Sequence, residues 1–392
     1  MNAPERPGWI GAAPTPAQIF GLMLVGVTGI LIAGLQPLLL GALAQEGRVT
    51  AAQLGRAATA ELLTMGLAAG LAGAVLQPVR LKLIAVAALV ALAAVDAWTP
   101  SVRGEMVTVA RAFAGAPSGV LIWLTISLIA RSPTPERWSG AYLTVQTLAQ
   151  FLLATFLTIA VVPTYGADGG FIALAVFCLA NAALAFMLPS ELAPLPVTEA
   201  GGSGALPGLR GWAALAASFL FVGFEIGVWV YAEPLSRQAG HDPAVVGQAV
   251  SISLACQVAG GLVATVFAGR FNWLVVMLVC LVINLALLAG FAAMPSALIY
   301  LIIAGAFGFL WIFASPFLVP MTIEADPTRR AAVLMGGAQL LGGSFGPLIA
   351  SVFVTDADAR GALAFGGASL VAAVALMLIL HQTRLRSGAG EA

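Results

Sequence analysis

The 392-residue sequence predicts an all-α, polytopic membrane protein of twelve transmembrane helices in two pseudo-symmetric six-helix bundles, and three observations carry that expectation. The first is composition. Hydrophobic residues make up 60% of the chain and charged residues 9%, with a mean hydropathy of +1.01, against about a quarter charged in soluble domains. The second is the length of the uncharged runs. Phe271 to Ile323 carries no charged side chain, and at about 1.5 Å per residue one helix of that length would far exceed a hydrocarbon core of roughly 30 Å. The chain must turn within it, most simply at Met294-Pro295-Ser296. Backbone groups find no water in the bilayer, so spans are helices or closed barrel strands, and segments of about 20 residues fit only helices. The third is duplication: the second six segments echo the first six at an offset of about 190 residues. Ala114-Gly115-Ala116 on the fourth segment recurs as Ala304-Gly305-Ala306 on the tenth, and Gly34-Leu35-Gln36 on the first as Gly223-Phe224-Glu225 on the seventh. Pro135-Glu136-Arg137 before the fifth recurs as Pro327-Thr328-Arg329 before the eleventh.

The spans read in order are 17–44, 56–77, 81–98, 103–130, 138–162, 169–189, 211–233, 244–268, 273–293, 297–322, 330–354 and 361–381. The first follows a Pro-rich leader with Glu5 beside Arg6 rather than a positive cluster, and reads as retained rather than as a cleaved signal. Between the sixth and seventh, Ser190 to Arg210 contains Pro194, Pro196, Gly201-Gly202-Ser203-Gly204 and Pro207-Gly208, the composition of a flexible connector. The organisation is therefore a first bundle over residues 1–189, a linker over 190–210 and a second bundle over 211–392 with a short tail.

Net charge is zero, so the informative quantity is the distribution of Lys and Arg between alternate loops. Arg6, Arg80, Lys82, Arg131, Arg137, Arg210, Arg270, Arg329, Arg330, Arg384 and Arg386 fall on the side of both termini, against Arg48, Arg56, Arg103, Arg237 and Arg360 opposite. The positive-inside rule then puts both termini in the cytoplasm, and the expected location is a bacterial inner membrane. Cys178, Cys256 and Cys280 are odd in number, lie inside apolar segments and read as small packing residues.

Arg111-x-x-x-Gly115-x-x-x-Gly119 in span four resembles the fourth-helix signature of the major facilitator superfamily, and the resemblance extends from the first span to the twelfth. That family's loop signature between spans two and three is matched only in part. Gly73 is followed by Gln77-Pro78-Val79-Arg80-Leu81-Lys82, so the basic residues are present and the usual acid is replaced by Gln77, which forms no ion pair. The second-half counterpart is Gly269-Arg270-Phe271-Asn272. The glycine-proline spacing that exporters of the superfamily carry on span five is missing there and stands instead on span eleven, as Gly342-Gly343-Ser344-Phe345-Gly346-Pro347, where it suits helix packing and bending. The resemblance implies a secondary transporter with a cavity lined by helices one, four, seven and ten, and so favours Gln36, Arg111, Trp123, Glu225, Trp229 and Trp311.

Arg111 sits about 12 Å into span four, where an Arg costs at least about 2.5–3.5 kcal/mol to insert, so it must face a partner or a cavity. It is either a structural Arg bonded to carbonyls or a neighbouring acid, or an anion-binding or gating group. Gly115 and Gly119 on the same stripe let another helix approach. Glu225 has no basic residue at helical spacing and is the leading proton site; a change in its distance from Arg111 would load and release a proton. Glu61, about two turns from a loop, is a gate residue or second proton site. Asp96, Glu105, Glu233 and Glu324 lie near helix ends, where solvation explains them. Gln146 and Gln150, four apart on span five, suit a polar ligand, and Gln257 adds a buried amide, as do Asn284 and Gln339. Gln36 precedes Pro37, whose missing N–H marks a bend. Trp123, Trp229, Trp311 and Tyr231 offer aromatic walls, and Pro316 with Pro320 makes span ten a hinge candidate.

No phosphate loop, nucleophile elbow or metal-ligand cluster occurs, and His241 and His381 are the only histidines. The expectation is a non-enzymatic transporter with no cofactor and no metal, monomeric, acting in the lipid bilayer without nucleic acid. It would move a small organic solute, anionic or neutral amphiphilic, by rocking of two bundles coupled to protons. An uncoupled facilitator, a proton-antiport exporter and a transporter-like sensor or scaffold stand as alternatives.

Overall fold

The computed structural model describes residues 9–133, 135–193, 207–267, 270–327 and 330–389. Most of the connector, residues 194–206, lies outside the described residues, as do Arg6, Gly269, Thr328 and Arg329 and the side chains of Glu136, Arg137, Arg330, Arg384 and Arg386. The helices in order are α1 (Pro16–Gln45), α2 (Ala51–Val75), α3 (Leu81–Trp98), α4 (Glu105–Ile129), α5 (Pro135–Phe156), α6 (Val162–Leu184), α7 (Leu209–Trp229), α8 (Ala232–Gln238), α9 (Pro243–Phe267), α10 (Trp273–Ala292), α11 (Ala297–Ala314), α12 (Leu318–Ala325), α13 (Arg330–Val352) and α14 (Arg360–Ala389).

Local chemistry sets the ends. Thr15 with Gln18, and Thr50 with Gln53, close reciprocal capping boxes that satisfy the first amides of α1 and α2. Gly104 (φ 57°) turns the chain into α4, and Gly166 (φ 61°) breaks the start of α6, both in the left-handed region that only glycine enters cheaply. Two expected spans are each divided. The seventh is α7 followed, past Val230-Tyr231, by the short α8. The tenth is α11, a 3-10 turn over Ser315–Phe317 and α12, because Pro316 has no N–H to continue the ladder.

Nine stretches among the described residues are long and apolar enough to cross a membrane, which makes this a multi-pass integral membrane protein. One of them, Ala141–Met187, covers 47 residues; at about 1.5 Å each that is about 70 Å, more than twice the core of a bilayer. It is not one rod, since a π-helical turn over Leu157–Val161 and the break at Gly166 part α5 from α6. Of the helices outside these nine stretches, α2 and α13 are 25 and 23 residues long.

In the first half α4 packs on α2, α1 and α3, and α3 on α6. In the second, α7 packs on α13 and α14, α9 on α11, and α10 on α14 and α11. Across the halves α2 meets α13, α5 meets α9, and α1 touches α8 and α9. Lipid tails are as apolar as leucine, so this packing depends on close backbone approach. A Cβ at Gly115 or Gly119 would collide with the α2 carbonyls of Glu61 and Met65, and one at Gly342 or Gly346 with the α7 carbonyls of Phe219 and Gly223. Gly115→Leu is therefore expected to cost at least about 1–3 kcal/mol of overpacking, seen as a lower denaturation midpoint in detergent. Gly70→Leu, at a position with no atom within 4 Å of a Cβ, should leave the midpoint unchanged.

Candidate functional site

The fold builds two buried polar centres, one in each half. In the first, Arg111 on α4 is wholly buried. Its Nη1 donates to Glu61 Oε1 on α2 at 3.1 Å, and its Nη2 to Asp96 Oδ1 on α3 and to Thr99 Oγ1, both at 2.9 Å. The guanidinium also lies 4.9 Å from the centre of the Phe171 ring on α6, a cation–π contact strengthened by the absence of water. Arg111 thus has its charge partners within its own half, the neighbouring-acid arrangement, rather than facing Glu225. Gln36, fully buried on α1, reaches the same centre beside Glu61.

Two expectations are corrected here. Asp96 is not solvated at a helix end but 3% exposed and paired, because the short turn through Thr99–Ser101 folds α3 back along α4 and lays residue 96 against residue 111. Glu61, which a place about two turns from a loop would let reach interfacial water, is instead 0% exposed under α4.

The second centre surrounds Glu225 on α7, also 0% exposed, with neither carboxyl oxygen hydrogen-bonded. Cys280 on α10 is a near neighbour. One turn further along α10, Asn284 is buried with both amide atoms unpaired. Trp229, one turn beyond Glu225, sets its ring 6.1 Å from that of Trp311 on α11, and Phe307 links Trp311 to Phe224 through edge contacts at 6.5 and 5.7 Å. Beside them Trp229, Phe307, Tyr300 and Phe291 help enclose an apolar cavity of about 20 Å³.

Other candidates are spread more widely. Trp123 does not join Trp229 and Trp311; it is buried against Gly73 towards the opposite end of the molecule, since α4 and α7 run in opposite directions. Gln150 packs against Gly34 and donates to the Ile30 carbonyl at 3.1 Å, so it ties α5 to α1, while Gln146 is half-buried and Gln257 is buried in α9. Pro37 stays within a continuous α1. Pro316 and Pro320 are both exposed, Pro316 in the turn that divides span ten and Pro320 in α12. Arg80 (φ 55°) opens α3 next to a bridge between Val79 and Glu191, and it is exposed, as is Arg270; Lys82 is half-buried. Pro347 offers its carbonyl to Tyr231 at 3.4 Å.

The halves meet in a seam at the end that carries the α1–α2 turn. The Ala51 amide donates to Asp356 at 2.8 Å, Gly55 packs under Tyr231 and Pro347, Gly41 under Glu233, and Gly247 against Thr158. Glu233 is also corrected: it is 0% exposed in this seam, with Arg237 Nε at 3.6 Å, because the break after α7 turns α8 onto α1. Asp358 at the same end accepts from Arg360 and Gln238, which hold its carboxyl well below the usual carboxylate range. Two loop arginines, one at each end of the molecule, are structural. Arg48 bonds Asp168 and the carbonyls of Thr99, Pro100 and Val102, and Arg131 bonds the carbonyls of Ser127 and Ala193.

No protein-family profile matches the chain, and no curated protein does. Solved structures do. A bacterial homologue of the human lysosomal transporter Spinster, in an inward-facing and occupied conformation, superposes with a TM-score of 0.62 over 94% of this chain and 96% of its own, at 15% identity. The nucleoside transporter NupG superposes with a TM-score of 0.66 over 93% of this chain and 99% of its own, also at 15% identity. The chain is similar in fold to both over nearly its whole length.

Proposed function

We propose that the chain is a secondary transporter of a small organic solute, with twelve spans in two bundles that rock about a central site. The observation that carries this reading is the asymmetry of the seam between the halves. Contacts at Ala51, Gly55, Gly41 and Gly247 close one end. Towards the other end, Gly70 on α2 and Gly336 and Gly337 on α13 have no atom within 4 Å of where a Cβ would stand. A molecule closed at one end and loose at the other is half of an alternating-access cycle. The full-length likeness to two transporters supports the same reading.

The solute is anionic or neutral and amphiphilic, approached by the indole of Trp229, whose Nε1 is buried without an acceptor, and by Trp311 and Gln146. Glu225 carries the coupling proton, since a wholly buried carboxylate with no hydrogen-bond donor is costly to keep charged. Both termini face the cytoplasm. The test is uptake by proteoliposomes under an imposed pH gradient, with solutes first selected by thermal stabilisation of the purified protein. Glu225→Gln is expected to abolish accumulation against a gradient while leaving downhill exchange; accumulation at the wild-type level in that variant would remove Glu225 from coupling.

A further inference from the structure

The first-half centre holds an imbalance that its hydrogen bonds do not resolve. Two carboxylates, Glu61 and Asp96, share one guanidinium, and the charges acting on Glu61 are those of Arg111 and Asp96. Each acid bonds a different nitrogen of Arg111. Next to them is a buried cavity of about 10 Å³ whose oxygen-bearing lining is Thr28, Glu61, Asp96 and Ser118, with Cys178 and apolar side chains completing it; Arg111 does not line it. Glu61 and Ser118 both line it, and Glu61 Oε2 and Ser118 Oγ are buried without a hydrogen bond of ordinary geometry, with the neutral Gln36 amide beside Glu61; the four residues are between 0% and 3% exposed. Thr28 Oγ1 donates to the Leu24 carbonyl at 2.8 Å and accepts from Asn181 Nδ2 at 3.0 Å, which leaves it a lone pair.

We propose that this cavity, formed between α1, α2, α3, α4 and α6, binds one monovalent cation of the size of sodium. The volume admits about one water-sized occupant, so an ion must enter without its hydration shell, and the short contacts a carboxylate oxygen makes then favour the smaller sodium or lithium over potassium. A proton on one acid would remove the excess charge but would leave the cavity lining as it stands, whereas one cation meets Glu61 Oε2 and Ser118 Oγ together. Two carboxylates against one Arg leave one net negative charge, which suits a monovalent rather than a divalent ion.

The proposal goes beyond the transport reading and is tested without substrate or gradient, so either can fail alone. Purified protein is titrated with NaCl, LiCl or KCl at constant ionic strength in choline chloride, following the denaturation midpoint and the binding of radiolabelled sodium. Saturable stabilisation by sodium and lithium, exceeding that by potassium, is expected. Glu61→Gln should abolish it, and Ser118→Ala, which removes only a hydroxyl, should weaken sodium binding by about tenfold or more. Ser218→Ala, a buried hydroxyl in the other half, should have no effect. Equal responses to all three salts, or an unchanged sodium response in folded Ser118→Ala protein, would overturn the proposal and leave a water as the occupant.

Discussion

Arg111→Met is expected to destabilise the protein by about 3–5 kcal/mol, the usual cost of removing one partner from a buried ion pair, and here two acids lose their cation together. Glu61 and Asp96 are 0% and 3% exposed, so neither can turn to water. Methionine keeps most of the volume, which separates charge from packing. The measurement is chemical or thermal denaturation in detergent. The triple variant Arg111→Met, Glu61→Gln, Asp96→Asn should recover more than half of the loss, because neutral amides remove the orphaned charges. A triple variant as unstable as the single one would show instead that the guanidinium acts by packing on Phe171, 4.9 Å from its ring centre.

The second large effect is on movement. In the seam, a Cβ at Gly247 on α9 would stand 2.8 Å from Cβ of Thr158 in the turn after α5. Disulfides hold Cβ atoms about 3.5–4.5 Å apart, so Gly247→Cys with Thr158→Cys needs a separation of roughly 1 Å to bridge. Oxidation of the double variant should then reduce solute flux to background, with recovery on addition of reductant, while each single variant ignores both reagents. Full flux through a completely cross-linked protein would mean that the halves do not part at this end.

The fold was largely legible in the sequence because its determinants are additive and local. Hydropathy accumulates over each run, as in the uncharged stretch from Phe271 to Ile323, and the repeated glycines keep their register between halves. Spans predicted at 81–98 and 273–293 are found as Leu81–Trp98 and Trp273–Ala292. What single-span reasoning missed were the breaks at Val230-Tyr231 and at Ser315–Phe317, although Pro316 was the visible signal for the second.

The site was legible residue by residue and illegible as a constellation. Arg111 announced itself because an Arg at that depth needs a partner. Its partners were Glu61, 50 positions back, and Asp96, 15 positions back. Asp96 was discounted for lying near a helix end. The signal that would have recovered it is the short connection between spans three and four, which makes them antiparallel neighbours. Ser118 and Glu233 gave no comparable sign, since a lone hydroxyl and a helix-end acid each have an ordinary explanation, while Asn284 was legible as a buried amide but not as a residue of the Glu225 centre.

By itself the sequence determined that this chain lives in a membrane, that its spans are helices, and that short sequences recur at an offset of about 190 residues with unmatched charges at Arg111 and Glu225. Those properties follow from transfer free energies and from self-similarity, neither of which requires knowing who touches whom. The tertiary structure decided which charges meet. It paired Arg111 inside its own half, left Glu225 among Cys280 and aromatic rings, and buried Glu233 in the seam. A buried charge falls off steeply with distance and is intolerant of a missing partner, so its meaning is set by a few ångströms of helix placement that no composition or period encodes.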